Sequence, residues 1–192
     1  MKLPEPKTKS QVSLEEALKK RRSVRQFTRQ SLTWEQISQL LWAAQGITDK
    51  QERLRAAPSA GATYPLEVYL VMKEGIYRYK PDSHEVERTI ERDVRHELCQ
   101  AAFDQRQIEE APVNIVIAAT YRRTESRYGE RAIRYVHMEV GHAAQNIHLQ
   151  AAALGLGSVP VGAFSDDQVQ MILSLPKNQQ PLYIIPVGYP AE

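Results

Sequence analysis

The stretch from Ile133 to Leu154 constrains the fold most. Val136, Val140, Ala143, Ile147, Ala151 and Leu154 recur at helical spacing over about six turns, so one face of a long helix is apolar. Many residues on this helix are small and let another helix approach closely, which makes the element a candidate for both the core and a subunit contact. Gly155-Leu156-Gly157 ends it. Upstream, Val113 to Ala119 is a nearly unbroken apolar run, the pattern of a strand covered on both faces.

Shorter elements surround these two. Ser13-Leu14-Glu15-Glu16 and Thr33-Trp34-Glu35-Gln36 read as capping boxes. The first opens a short helix that runs into Arg21-Arg22-Ser23-Val24-Arg25, and the second opens a helix burying Ile37, Leu40, Leu41 and Ala44 before Gly46. A loop of small residues from Ala56 to Pro65 feeds a strand from Val68 to Met72, and Glu74-Gly75 turns the chain into an antiparallel partner from Ile76 to Lys80. Pro81-Asp82-Ser83 turns it again. Asp93 is expected to cap a helix with Val94, Leu98, Ala101 and Ala102 inside, which Pro112 stops, and Arg122 to Arg131 is a polar segment. Beyond the long helix come a short strand through Val159 and Val161, a helix capped at Ser165 and running through Leu173, and a last strand from Leu182 to Val187. Strands interspersed with helices, without a repeat or an interdomain linker, predict an α+β layer structure.

The 192 residues suit one domain, with residues 1–12 as a polar N-terminal arm and residues 13–192 as the folded unit. Totals of 25 basic and 23 acidic residues nearly cancel, which argues against broad electrostatic binding of nucleic acid. The single cysteine, Cys99, has apolar neighbours, reads as a packed thiol and fits a reducing, cytoplasmic setting. Met1 to Ser10 has no apolar run, so neither a secretory signal nor a membrane span is expected there.

Three segments have the makings of a site. Arg21-Arg22-Ser23-Val24-Arg25 gathers three permanent cations and a hydroxyl, equipment for a phosphate and an electron-rich ring; taken alone it also reads as the solvated basic end of a helix. Pro58-Ser59-Ala60-Gly61 combines a rigid residue, a hydroxyl and little side-chain bulk, so its backbone can lie flat against a planar ligand, or simply form a surface turn. Val159-Pro160-Val161-Gly162, after the glycines at 155 and 157, offers an apolar wall ending in a backbone N–H, which a redox ring requires. His137, His142 and His148 share a helix but do not make a metal set: His142 is rotated about 140° from His137, and His148 lies roughly 16 Å along the axis. The glycine-rich signatures of phosphate loops and dinucleotide folds do not occur, and Ser59 and Ser158 lack a nucleophile-elbow context.

In this order, Arg21-Arg22-Ser23-Val24-Arg25, Pro58-Ser59-Ala60-Gly61-Ala62-Thr63-Tyr64-Pro65, Glu139-Val140-Gly141-His142-Ala143-Ala144-Gln145-Asn146 and Gly155-Leu156-Gly157-Ser158-Val159-Pro160-Val161-Gly162 resemble the FMN-dependent nitroreductase family. The second and third look most like its azoline-oxidising dehydrogenase branch. The resemblance implies a central mixed β-sheet flanked by helices, and a homodimer whose long helix lies at the interface with two shared FMN sites. Arg21, Ser23 and Arg25 are then expected to hold the phosphate, ribityl chain and pyrimidine edge, with Arg22 nearby. Pro58, Ser59, Ala60 and Gly61 are expected from the partner chain, and Val159, Pro160, Val161 and Gly162 against the ring, with the Gly162 backbone near N5 and Arg25 tuning the reduced flavin.

In such a flavoprotein NAD(P)H reduces the flavin and a small flat electrophilic acceptor reoxidises it from the same stacking position, a ping-pong oxidoreductase without a dedicated side-chain catalyst. Family members commonly carry a phosphate-binding Lys or Arg beyond the last strand, where this chain reads Val187-Gly188-Tyr189-Pro190-Ala191-Glu192. The active-site Lys-Tyr pair of the azoline-oxidising enzymes has Arg134-Tyr135 as its nearest counterpart. A catalytically quiet flavin-binding or regulatory protein of the same fold is the alternative. Nucleic-acid binding through Lys19 to Arg25 has no supporting motif, and no membrane partner is expected.

Overall fold

The computed structural model describes residues 1–191. Ser13 caps α1 (Leu14–Lys20) by accepting from the Glu16 N–H, and Thr33 with Gln36 forms a complete capping box at the head of α2 (Trp34–Gln45). A small hairpin of β1 (Ile47–Asp49) and β2 (Leu54–Arg55) follows, then a 3₁₀ turn at Ala60–Ala62. Next come β3 (Leu66–Met72), β4 (Gly75–Lys80), β5 (Glu85–Ile90), α3 (Arg95–Ala101), α4 (Gln107–Glu110), β6 (Val113–Ala119) and α5 (Arg122–Tyr128). The chain ends with α6 (Ala132–Ala153), β7 (Gly157–Ser158), α7 (Asp166–Ile172) and β8 (Gln180–Gly188).

The main sheet has the order β5-β4-β3-β6-β8-β7. Its ladders are antiparallel, and the mixed character comes from one parallel bridge, Ser23 to Ser158, at the β7 edge. Apolar side chains occupy both faces of the central strands, as the run at Val113 to Ala119 requires. On β6, Val113, Ile115, Ile117 and Ala119 join Leu40, Leu41, Val136, Val140 and Ile147 in the core beneath α2 and α6. Val116 and Ala118 pack on the other face with Val94, Leu98, Ile108, Val169 and Leu173. This is an α+β fold of three layers, with the long helix α6 along one face of the sheet. No helix among the described residues is long and apolar enough to cross a membrane.

Several elements differ from expectation. β5 has only Val86 fully buried, Ile90 partly buried at its end and Glu, Arg and Thr elsewhere, so as an edge strand it carries too little apolar alternation to read. α5 buries only Thr124 and therefore shows no apolar stripe; Gly129, at φ 55°, ends it. Asp93 lies one position before the N-cap of α3, though its carboxylate still accepts from the Arg95 N–H. The Ser165 side chain makes no cap bond. The strand expected through Val159 and Val161 is β7, two residues earlier, joined by an isolated bridge from Val161 to Ile184. Within the polar arm, Leu3 is buried and the Met1 ammonium donates to the Val86 carbonyl, so the first residues line the β5 edge.

Candidate functional site

Two sequence-separated segments meet where the arginine cluster leaves α1. The Val24 N–H donates to the Ser158 carbonyl at 3.1 Å, and further on Thr28 donates to Tyr189 and Ala191 donates to Gln26. Residues 23–28 are thereby fastened between β7 and the end of β8. Gly157 makes this approach possible: a Cβ there would fall 2.6 Å from Val24 Cβ. Gly157→Ala is therefore expected to cost about 2 kcal/mol of stability, read by urea unfolding, because backbone must move to relieve the overlap. A variant as stable as the parent would show that the arginine segment is not held there.

Between these segments lies a cavity of about 210 Å³ lined by Lys20, Arg21, Arg22, His148, Ser158 and Pro190 among others. It contains three cations and no carboxylate. Arg22 is partly committed, donating from Nη1 to the Lys19 and Arg21 carbonyls at the helix exit. Among the described residues the Arg21 and Arg25 side chains make no ion pair. His148, on the long helix and only 5% exposed, has Nδ1 2.6 Å from the Ser158 hydroxyl, while its Nε2 is buried without a partner. Burial, and secondarily the Arg21 charge, pulls its pKa down to about 4, so the imidazole is neutral at physiological pH. Lys20 is paired with Glu16 at 2.9 Å, which leaves the Arg21 and Arg22 guanidiniums without a carboxylate among the described residues. A buried ring nitrogen without a partner beside two such guanidiniums is the local chemistry of an anion site.

The other expected residues form two further places. Ser59 Oγ accepts from the Tyr64 N–H at 2.9 Å, and Gly61, at φ 59°, accepts from Arg127 Nη1 at 3.0 Å, so the Pro58–Gly61 loop is clamped by α5. A side chain at Gly61 would meet the Tyr128 hydroxyl. No hydrogen bond joins this loop to residues 21–25 within the chain, among the described residues. Beneath it lies Glu139, 3% exposed, whose Oε1 has no partner; burial pushes its pKa up to about 7 against the smaller opposing effects of the Ser59 hydroxyl and Arg55. Val159 and Val161 turn their side chains into the core, and Val161 exchanges backbone hydrogen bonds with Ile184. The exposed members of that segment are Pro160 and Gly162. The expected wall of valine side chains is therefore not exposed: both are turned inward, and Pro160 and the main chain at Gly162 are what this segment presents to the surface.

The histidines are dispersed. His137 Nε2 is 2.7 Å from the Tyr121 hydroxyl, His142 is exposed and His148 is buried. Tyr135 packs edge-on against Tyr128 with centroids 5.1 Å apart, while Arg134 is exposed. Two groups escaped the sequence reading. His148 was weighed only against a metal set, and Ser158 only as a nucleophile. The available signal was a histidine adjoining the buried helix face, about two turns before the glycines at 155 and 157.

The structure thus combines a three-layer α+β fold with a cationic cavity where a glycine turn meets an arginine segment. Comparison with known proteins supplies the family. Residues 18–189 match the model of the Nitroreductase family, and the chain belongs to it. A Methanocaldococcus jannaschii protein with a provisional nitroreductase name is 47% identical over 184 residues, covering 93% of this chain and 91% of that protein. The crystal structure of a provisionally named nitroreductase from Ralstonia eutropha superposes with a TM-score of 0.88 at 29% identity, covering 99% of this chain and 89% of that one. The NADPH-flavin oxidoreductase of Vibrio harveyi is 25% identical over 177 residues, 88% of this chain and 62% of that protein.

Proposed function

We propose that this protein is an FMN-dependent oxidoreductase that takes reducing equivalents from NAD(P)H and passes them to a small flat electrophilic acceptor. The observation that carries the reading is the cavity beside Arg21, where the chain gathers cations and an unpartnered His148 Nε2. The FMN phosphate is assigned to Arg21, Arg22 and His148; Ser23 holds the ribityl chain and Arg25 the pyrimidine edge. With the Ser158 hydroxyl donating to Nδ1, the proton of the neutral imidazole resides on Nε2 and serves the phosphate as an N–H donor.

With FMN bound, Pro160 and Gly162, backed by Val159 and Val161, would cover one face of the ring, and in a homodimer the partner's copy of the Pro58-Ser59-Ala60-Gly61 loop would lie near the other. Bound FMN supplies hydride acceptance and release in two half-reactions sharing one stacking position. The chain's own contribution is binding, orientation and exclusion of water, with Arg25 opposing the negative charge of the reduced ring. Support for a homodimer comes from Leu14 and Leu18 on α1 and Ile133 and Met138 on α6, all exposed apolar side chains on two helices that pack together. Residues 13–192 act as one domain in this reading, and the buried Cys99 suits the cytoplasm. The Pro58–Gly61 and Glu139–Asn146 motifs favour the branch containing the azoline-oxidising enzymes.

Purified protein is expected to be yellow, or to acquire flavin absorbance on addition of FMN, and to lose it rapidly under NADH or NADPH in anaerobic stopped flow. A folded protein that takes up no flavin would end the proposal. Flavin that bleaches under dithionite but under neither nicotinamide would leave the alternative, a catalytically quiet flavin-binding protein.

A further inference from the structure

A second cavity, of about 520 Å³, lies under the β1–β2 hairpin, between Gln45, Arg55, Tyr64, Glu67, Arg78 and Arg123. It is separate from the residues assigned to FMN. Glu67 is buried and its carboxylate serves two guanidiniums: Oε2 accepts from Arg78 Nε at 3.1 Å and Nη2 at 2.9 Å, and Oε1 accepts from Arg123 Nη2 at 2.6 Å. Arg55 has no carboxylate of its own. Its guanidinium lies 4.4 Å over the Tyr64 ring, and Nη1 donates to Gln45 Oε1 at 2.9 Å.

Gln45 is fully buried at the end of α2, and its Nε2 has no acceptor. Nearby, Lys80 pairs with Glu87 and Arg53 with Asp82, so those charges cancel. What remains is three guanidiniums against one carboxylate, an excess of two positive charges. Asp82, Glu67 and Glu139 act on Arg55 only at longer range, Asp82 most strongly, and none of them forms an ion pair with it. A half-buried cation without a counterion and a buried amide without an acceptor are both costly, and one oxyanion relieves both.

We propose that this cavity is a binding site for a small dianion, a dicarboxylate or a phosphate monoester, held by Arg55 and the Gln45 amide on one side and by Arg78 and Arg123 on the other. The charge excess sets the dianion, and the volume excludes little of metabolite size. Arg123 also donates to the Tyr64 carbonyl at 2.9 Å, so an occupant adds to the clamp on the loop that begins at Pro58.

The test is calorimetric titration of the FMN-saturated protein with inorganic phosphate and, separately, with succinate, at ionic strength held constant with chloride. Saturation keeps the cavity beside Arg21 from contributing. One saturable site per chain is expected, and the tighter probe distinguishes the phosphate monoester from the dicarboxylate. Arg55→Gln should weaken binding at least about tenfold. Gln45→Glu should abolish it while raising Tm, because the new carboxylate becomes the counterion of Arg55; this variant keeps the test decisive if Arg55→Gln folds poorly. Absence of saturable binding by either anion, or unchanged affinity in Arg55→Gln, would overturn the site. So would an oligomeric state that changes in Arg55→Gln while neither anion binds, since the cavity would then be closed by a second copy.

Discussion

Arg21→Ala is expected to weaken FMN binding about 100-fold while leaving riboflavin affinity within about twofold. The reasoning is local. Arg21 is half-buried at the wall of the 210 Å³ cavity and makes no ion pair among the described residues, so its charge is uncommitted. An uncommitted guanidinium meeting a phosphate dianion gains a charge-assisted bond in a partly desolvated setting, which is the kind of contact that dominates a small ligand's affinity. Arg22→Ala should lose less, because Nη1 of Arg22 is already bonded to the Lys19 and Arg21 carbonyls. His148→Ala should cost about tenfold, a neutral donor being worth less than a charged one. Fluorescence titrations with FMN and riboflavin in parallel separate the possibilities. Equal loss for both flavins would mean that the variant damages the ring site or the fold, and that the phosphate lies elsewhere.

The segments that carry this expectation were visible in the sequence, whereas their junction was not. Arg21 to Arg25 and the turn through Gly157 can each be read as a motif, because side-chain type and glycine placement are local properties. The parallel bridge from Ser23 to Ser158 joins residues far apart in the chain, and nothing local announces it. Fold legibility divides along the same line. β6 and α6 were recoverable because burial on both faces or along one stripe imposes a pattern on composition. β5 and α5 were not, because an edge strand with one buried residue and a helix with one buried residue leave composition unconstrained.

The same limit explains Glu139. Its position beside Val140 on the buried face was evident once the helix was placed, yet an unpartnered carboxyl there depends on what α6 packs against. Arg55 belongs to a hairpin too short to show a period, so its stacking over Tyr64 also appears only in three dimensions.

Two buried titrations of opposite sign should cancel in this protein and separate when either group is replaced. His148 has its folded pKa depressed from 6.5 to about 4, so the unfolded chain binds the extra proton first and stability falls as pH drops from 6.5 towards 4. Glu139 has its folded pKa raised from 4.5 to about 7, so the folded chain holds the proton more tightly; its contribution is complete below 4.5 and is lost as pH rises through 7. Each shift corresponds to about 3 kcal/mol across its window. Between pH 4.5 and 6.5 the two slopes oppose, and the parent protein should show nearly constant stability in urea.

Glu139→Gln removes the rising-pH penalty and leaves His148 alone, so its stability should fall by about 3 kcal/mol from pH 6.5 to pH 4. His148→Gln leaves Glu139 alone, so its stability should instead rise by a similar amount as pH is lowered from 7 to 4.5. At pH 8 Glu139→Gln should also exceed the parent, because the parent then buries an ionised carboxylate with one oxygen lacking a hydrogen bond. Parallel slopes in the two variants would show that neither group is as dehydrated as its surroundings imply. A parent that loses stability steeply below pH 6.5 would mean that Glu139 is already ionised there, its charge taken up by Arg55.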